Sequence, residues 1–133
     1  MIEAGGRVVY FAGDTAYADH FTRIAHFFPQ IDVALMPIGP CEPRAWMRRS
    51  HVDAAEAGQA FLDLKAHQFF PMHWGTFYFG VDTFLGPVER LSWWWQANRQ
   101  MLEAKKLTLP KVGQAFDLYE PLPTAVAHKQ IVY

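Results

Sequence analysis

Three side chains in this sequence are of the types that hold metal ions or move protons, and each stands near the boundary of a structural run. Asp14 follows an apolar run in "YFAGDTAY", His51 lies in "SHVD" ahead of a helical pattern, and His73 ends a second apolar run in "MHWGTF". Carboxylate oxygen and imidazole nitrogen are the donor set that suits zinc and its neighbours. Imidazole is also the common general acid and base near neutral pH. Read singly, each has a plainer role: an Asp in a Gly-Asp-Thr turn can satisfy nearby backbone N–H groups, and a lone histidine is often structural. Read together, two histidines and an aspartate at element boundaries favour metal or acid–base chemistry. They are far apart in sequence and form no His-Glu-x-x-His motif, so the fold must bring them together.

Other residues could line such a site. Arg44 ends the proline-rich stretch "GPCEPR", and Arg48 and Arg49 follow it. Arginine suits bidentate contacts to phosphate, while the same cluster also reads as a solvated basic face. Arg44 is the best single candidate for an anion contact. Tyr17 and Trp74 follow Asp14 and His73 closely enough to line a pocket, although their aromatic mass equally suits packing. Trp93, Trp94 and Trp95 could mark a membrane interface. Three consecutive positions on a helix point in different directions, so packing is the better reading.

The elements that must position these groups are legible from pattern. "RVVYFA" (7–12), bounded by glycines, reads as a strand buried on both faces. Residues 19–28 follow with helical spacing, Asp19 as N-cap and Pro29 as the stop. "IDVALMPIG" is a second buried strand, and 39–50 reads as a loop. Asp53 with Glu56 three residues on forms a capping box for a helix whose apolar stripe is Ala57, Ala60, Phe61 and Leu64. "QFFPMHWGTF" holds a third strand, and a helix is expected from Pro87 to about Lys105. "GQAFDLY" reads as a last strand, with an irregular tail from about 119 to 133. The order is β-α-β-loop-α-β-α-β, an α/β architecture in which ligand chemistry gathers at the carboxyl ends of the strands.

Composition excludes some classes. The 133 residues are 51% hydrophobic, enough for one domain with a core, and the net charge of −1 carries no electrostatic footprint for nucleic acid. The single Cys41 rules out an internal disulfide framework. The first residues lack a signal-peptide core, and no run of about 18 apolar residues offers a membrane span, so the chain reads as soluble and cytoplasmic.

Three blocks, "YFAGDTAY", "DVALMPIGPCEPRAWMRRSHVDAAEA" and "FFPMHWGTF", occur in an order that resembles the C-terminal half of a metallo-β-lactamase-fold hydrolase. The branch it looks most like contains N-acylphosphatidylethanolamine-hydrolysing phospholipase D, with L-ascorbate-6-phosphate lactonase as a more distant cousin. The resemblance covers roughly residues 2 to 90. It implies half of an αββα sandwich and two zinc ions in the complete site, with a metal-activated water as nucleophile. It implies Asp14 as a bridging carboxylate, His73 as a metal ligand and His51 as a substrate-side phosphate contact or acid/base group. It leans toward a small-molecule or phospholipid-like phosphodiester as substrate.

The family's His-x-His-x-Asp-His motif is absent. The histidines are His20, His26, His51, His67, His73 and His128, and no two are separated by one residue. The expectation is therefore one partial domain, with at most a partial metal site. Such a half would expose apolar sheet surface and would either self-associate or pair with an N-terminal half. The competing expectation is a non-catalytic fragment or interaction module.

Overall fold

A computed structural model describes residues 1–78 and 80–118. The elements run β1 (Ile2–Ala4), β2 (Arg7–Phe11), α1 (His20–Phe27), β3 (Val33–Pro37), α2 (Arg44–Met47), α3 (Ala54–Asp63), β4 (Gln68–Met72), α4 (Gly86–Ala97) and β5 (Lys106–Leu107). They build one five-stranded sheet in the order β1-β2-β3-β4-β5, antiparallel at β1/β2 and parallel elsewhere. The first pair is a hairpin turned by Gly5 and Gly6, both at positive φ, which a two-residue turn between twisted strands requires. The glycine pair is the signal for β1 that the strand pattern alone does not reveal.

Alternation along the strands sorts their side chains onto two faces. Tyr10, Ala34, Met36 and Phe69 join Phe21 of α1, Phe61 of α3 and Leu91 of α4 in a single core. Ring packing carries much of it: Phe61 and Phe69 lie 5.2 Å apart, and Trp95 lies 5.7 and 6.0 Å from the two. Trp94 lies flat against Gly58, where an added Cβ would stand 2.4 Å from the indole. Trp93 is exposed, so the tryptophan triplet divides between packing and solvent.

The opposite face carries Phe11, Leu35 and Phe70 in register. Phe116 packs on Phe70 at 5.0 Å, whereas Phe11 remains 56% exposed. Burial of β2 on both faces is thus corrected: Tyr10 is enclosed by the helices, and Phe11 on the other side is not.

Other boundaries also differ from expectation. The helix from Pro87 ends at Ala97, because the Asn98 side chain donates 2.8 Å to the Trp94 carbonyl and the chain then turns into β5. The last strand is Lys106–Leu107, paired with Gln68–Phe69, and not "GQAFDLY". Residues 113–118 form no strand, and the irregular tail expected from 119 lies outside the described residues. Within the expected loop 39–50, Arg44–Met47 forms one short helical turn.

Candidate metal centre

The carboxyl ends of β2 and β4 deliver Asp14 and His73 to the same place. Ala12 N–H still donates to Leu35 O at 3.1 Å, so β2 is held to β3 until Gly13, at φ +64°, turns Asp14 away from the sheet. β4 ends more abruptly. His73 itself adopts φ +62°, a left-handed conformation rare outside glycine, and this re-aims its ring. His73 Nε2 then lies 3.0 Å from Asp14 Oδ1, and its Nδ1 lies 2.8 Å from Gly39 O.

The third group comes from the segment between α2 and α3. His51 N–H donates to Met47 O at 2.8 Å, and the next residue, Val52, donates to Thr15 O at 2.8 Å, one position after Asp14. The His51 ring lies nearly parallel to that of His73, with centroids 5.7 Å apart. One donor atom each from Asp14, His51 and His73 falls within 4.8 Å of the others. Distant in sequence, the three residues share one site.

The donor chemistry of this group fits a cation. Gly39 O can only accept, so His73 Nδ1 carries the hydrogen of that bond, and in neutral imidazole Nε2 presents a lone pair. That lone pair faces a carboxylate oxygen, also an acceptor. A positive centre between them, a proton or a metal ion, satisfies both. A backbone carbonyl fixing the far nitrogen of a ligating histidine is the usual second-sphere support.

The cluster opens on a cavity of about 500 Å³. Beyond Asp14, His51 and His73 its walls include four aromatic side chains, Trp74, Phe77, Tyr78 and Phe84, among glycine, proline and threonine residues. Phe77, Tyr78 and Phe84 were not picked out from sequence, although the aromatic run directly after His73 was the available signal. Asp82 fastens one wall, with Oδ2 accepting from the N–H groups of Cys41 and Glu42 at 2.6 and 3.1 Å. Arg90 donates to Glu42 at 3.0 Å; this bond and the Arg44 N–H hold the Glu42 carboxyl below the usual carboxylate range. Burial pushes the Cys41 thiol up to about 11, which argues against a nucleophile there.

Trp74 lines the cavity, but two other expected contacts do not. Tyr17 turns toward α3: its hydroxyl donates to Asp63 at 2.6 Å, and its ring stacks on Phe21. That bond raises the Tyr17 phenol to about 12. The Arg44 guanidinium is directed at Asp53, Glu56 and the carbonyl of His51. Arg44 and Tyr17 therefore act between elements and not on the cavity wall. The partner carboxylates of Arg44 could have been found from the capping-box pair Asp53 and Glu56 downstream.

The family model described as "Beta-lactamase superfamily domain" matches residues 1–74, a span that contains all three members of the cluster. The chain belongs to the beta-lactamase superfamily. Its five-stranded mixed sheet fits part of the αββα fold of that superfamily. An N-acyl-phosphatidylethanolamine-hydrolyzing phospholipase D of Caenorhabditis elegans is 30% identical over 105 residues, which are 77% of this chain and 30% of the relative. The mitochondrial phospholipase D of the same description from Saccharomyces cerevisiae is 35% identical over 89 residues, 65% of this chain and 19% of the relative. An uncharacterized Mycobacterium tuberculosis protein is 39% identical over 85 residues, 62% and 22% of the two chains. Superfamily member and phospholipase D-like branch agree with the resemblance read from the three blocks. The chain spans between 19% and 30% of the length of these relatives. Among the described residues no helix is long and apolar enough to cross a membrane.

Proposed function

We propose that this chain forms one side of the active site of a zinc-dependent hydrolase that cleaves a phosphodiester, with a phospholipid-like molecule as substrate. The observation that carries the reading is the convergence of Asp14, His51 and His73 on the wall of one cavity that Trp74 and Phe84 also line. The names of the two phospholipase D relatives support the substrate class. Asp14 and His73 are the metal donors. His51, set against the His73 ring, faces the substrate as proton-transfer group or phosphate contact, and it also lies within reach of the same ion. Bound zinc would supply Lewis acidity and a water ionised near neutral pH. The chain's own share is to orient the His73 ring through Gly39 O, hold the Asp14 carboxylate opposite it, and pack apolar substrate against Trp74 and Phe84.

Asp14, His51 and His73 make a thin donor set for two ions, since a zinc site usually takes three or four donors from protein. We read the chain as a partial domain whose site is completed by further residues, from an N-terminal half or a second copy. Calorimetric titration of the purified chain with zinc, beside light scattering, tests this. The expected result is zinc binding no tighter than micromolar, abolished in Asp14→Ala and in His73→Ala. Sub-micromolar binding by a monomer, or binding that survives both substitutions, overturns it.

A further inference from the structure

Within this chain Arg44 makes its contacts at a junction behind the cluster. Its Nη2 donates to His51 O at 2.9 Å and to Glu56 Oε2, and its Nε pairs with Asp53 Oδ2 at 3.5 Å. Its own N–H donates to Glu42 Oε2 at 2.8 Å. Asp53 and Glu56 are the two members of the capping box that starts α3: Glu56 N–H donates to Asp53 Oδ1 at 2.8 Å, and Asp53 N–H donates to Glu56 Oε2 at 3.3 Å. One guanidinium thus joins the start of α2, the start of α3 and the backbone of the residue between them that carries an imidazole.

That residue sits in a segment without helix or strand of its own. Between α2 and α3, the bonds at its two peptide groups are among those that place His51. Its N–H is taken by Met47 O and its C=O by Arg44, while Val52 N–H reaches Thr15 O beside Asp14. Of these anchors the Arg44 contact is the one made by a side chain, so it can be altered without changing the backbone. The planar fork of arginine can meet a carbonyl and two carboxylates at once; a lysine ammonium on a flexible stem keeps the charge but not that geometry.

We propose that Arg44 is a positioning residue for His51, setting the imidazole against His73 and Asp14 by clamping the His51 carbonyl to the α3 capping box. The inference rests on the reading of His51 as a working group of the site. Its test, however, reads ring geometry and needs neither bound metal nor turnover, so its failure is separable from failure of that reading.

The experiment is NMR on the whole chain without added metal, with the imidazole signals assigned through His51→Ala and His73→Ala. Cross-relaxation between the His51 and His73 ring protons reports their stacking. In Arg44→Lys the amide spectrum is expected to stay dispersed, the His51–His73 cross-peak to vanish and the His51 ring signals to broaden. Glu56→Gln, which keeps an acceptor for Asp53 N–H but removes one charge facing Arg44, is expected to weaken the cross-peak without abolishing it. A cross-peak of undiminished intensity in a folded Arg44→Lys overturns the proposal and leaves Arg44 as a helix-start ion pair alone. Should Arg44→Lys fail to fold, an unchanged cross-peak in Glu56→Gln overturns it equally.

Discussion

Helices α1 and α3 both follow an aspartate, and the two aspartates behave differently. Asp19 has already entered helical backbone, at φ −67° and ψ −10°, and its side chain makes no cap bond. Asp53 is extended, at φ −86° and ψ 179°, and completes a reciprocal capping box with Glu56. A capping side chain reaches the first-turn N–H groups from non-helical backbone. Residue type nominates the cap, and the path by which the chain enters the helix decides it. The difference also follows the proposed site. The start of α3 is joined through Arg44 to His51, whereas before α1 the Thr15 hydroxyl meets the His20 ring at 3.2 Å. The better-tied helix start is the one that follows His51.

Substitutions can sharpen this contrast. The largest effect is expected at Gly58, where α3 meets the Trp94 ring without room for a methyl group. Gly58→Ala should cost about 1–3 kcal/mol by forcing that contact apart. Thr22→Ala on the exposed side of α1 should stay within about 0.5 kcal/mol. Urea denaturation of both measures the gap, and equal losses would mean that α3 is no more tightly held than α1.

The caps come next. Asp53→Ala should lose about 1 kcal/mol, the usual value of an N-cap side chain. Asp19→Ala, with no bond to lose, should move stability by less than about 0.5 kcal/mol. Paired thermal melts decide between them. Similar shifts would show that Asp19 caps α1 in solution after all.

The smallest effect concerns the tie between the segment before α1 and the last residue of α3, the Tyr17 hydroxyl on Asp63. Its folded pKa, about 12, lies above the ordinary 10.0, so the bond's contribution is whole below pH 10.0 and is lost as pH rises through about 12. A tyrosinate absorbance titration should contain a late-ionising phenol that Tyr17→Phe removes, beside that of Tyr10, which burial also raises. An undiminished late step in the variant would assign it wholly to Tyr10 or another tyrosine.

What could be read from sequence was what local pattern governs. β2, β3 and β4 stand out as apolar runs closed by glycine or proline, and Asp53 with Glu56 announces α3 without any tertiary information. Asp14 and His73 could be picked because strand ends are identifiable and the family blocks surround them. What could not be read depended on contacts across the chain. Phe11 looks as buried as Tyr10 until the helices are seen to cover one face. Nothing near Arg44 in sequence reveals that its Nε and Nη2 meet Asp53 and Glu56. Lys106–Leu107 is too short to carry an alternation of its own and exists as a strand because Gln68 and Phe69 pair with it.

The left-handed backbone at His73 has a consequence for how this sequence would change under different pressures. Holding a non-glycine residue at φ +62° costs on the order of 1 kcal/mol. Glycine would carry the same turn at ease but would bring no imidazole to Asp14. A library sorted for thermal endurance alone should therefore drift toward glycine at position 73, while one sorted for retention of the proposed metal ion should keep histidine. The two populations would part first at a residue where comfort and chemistry ask for different side chains.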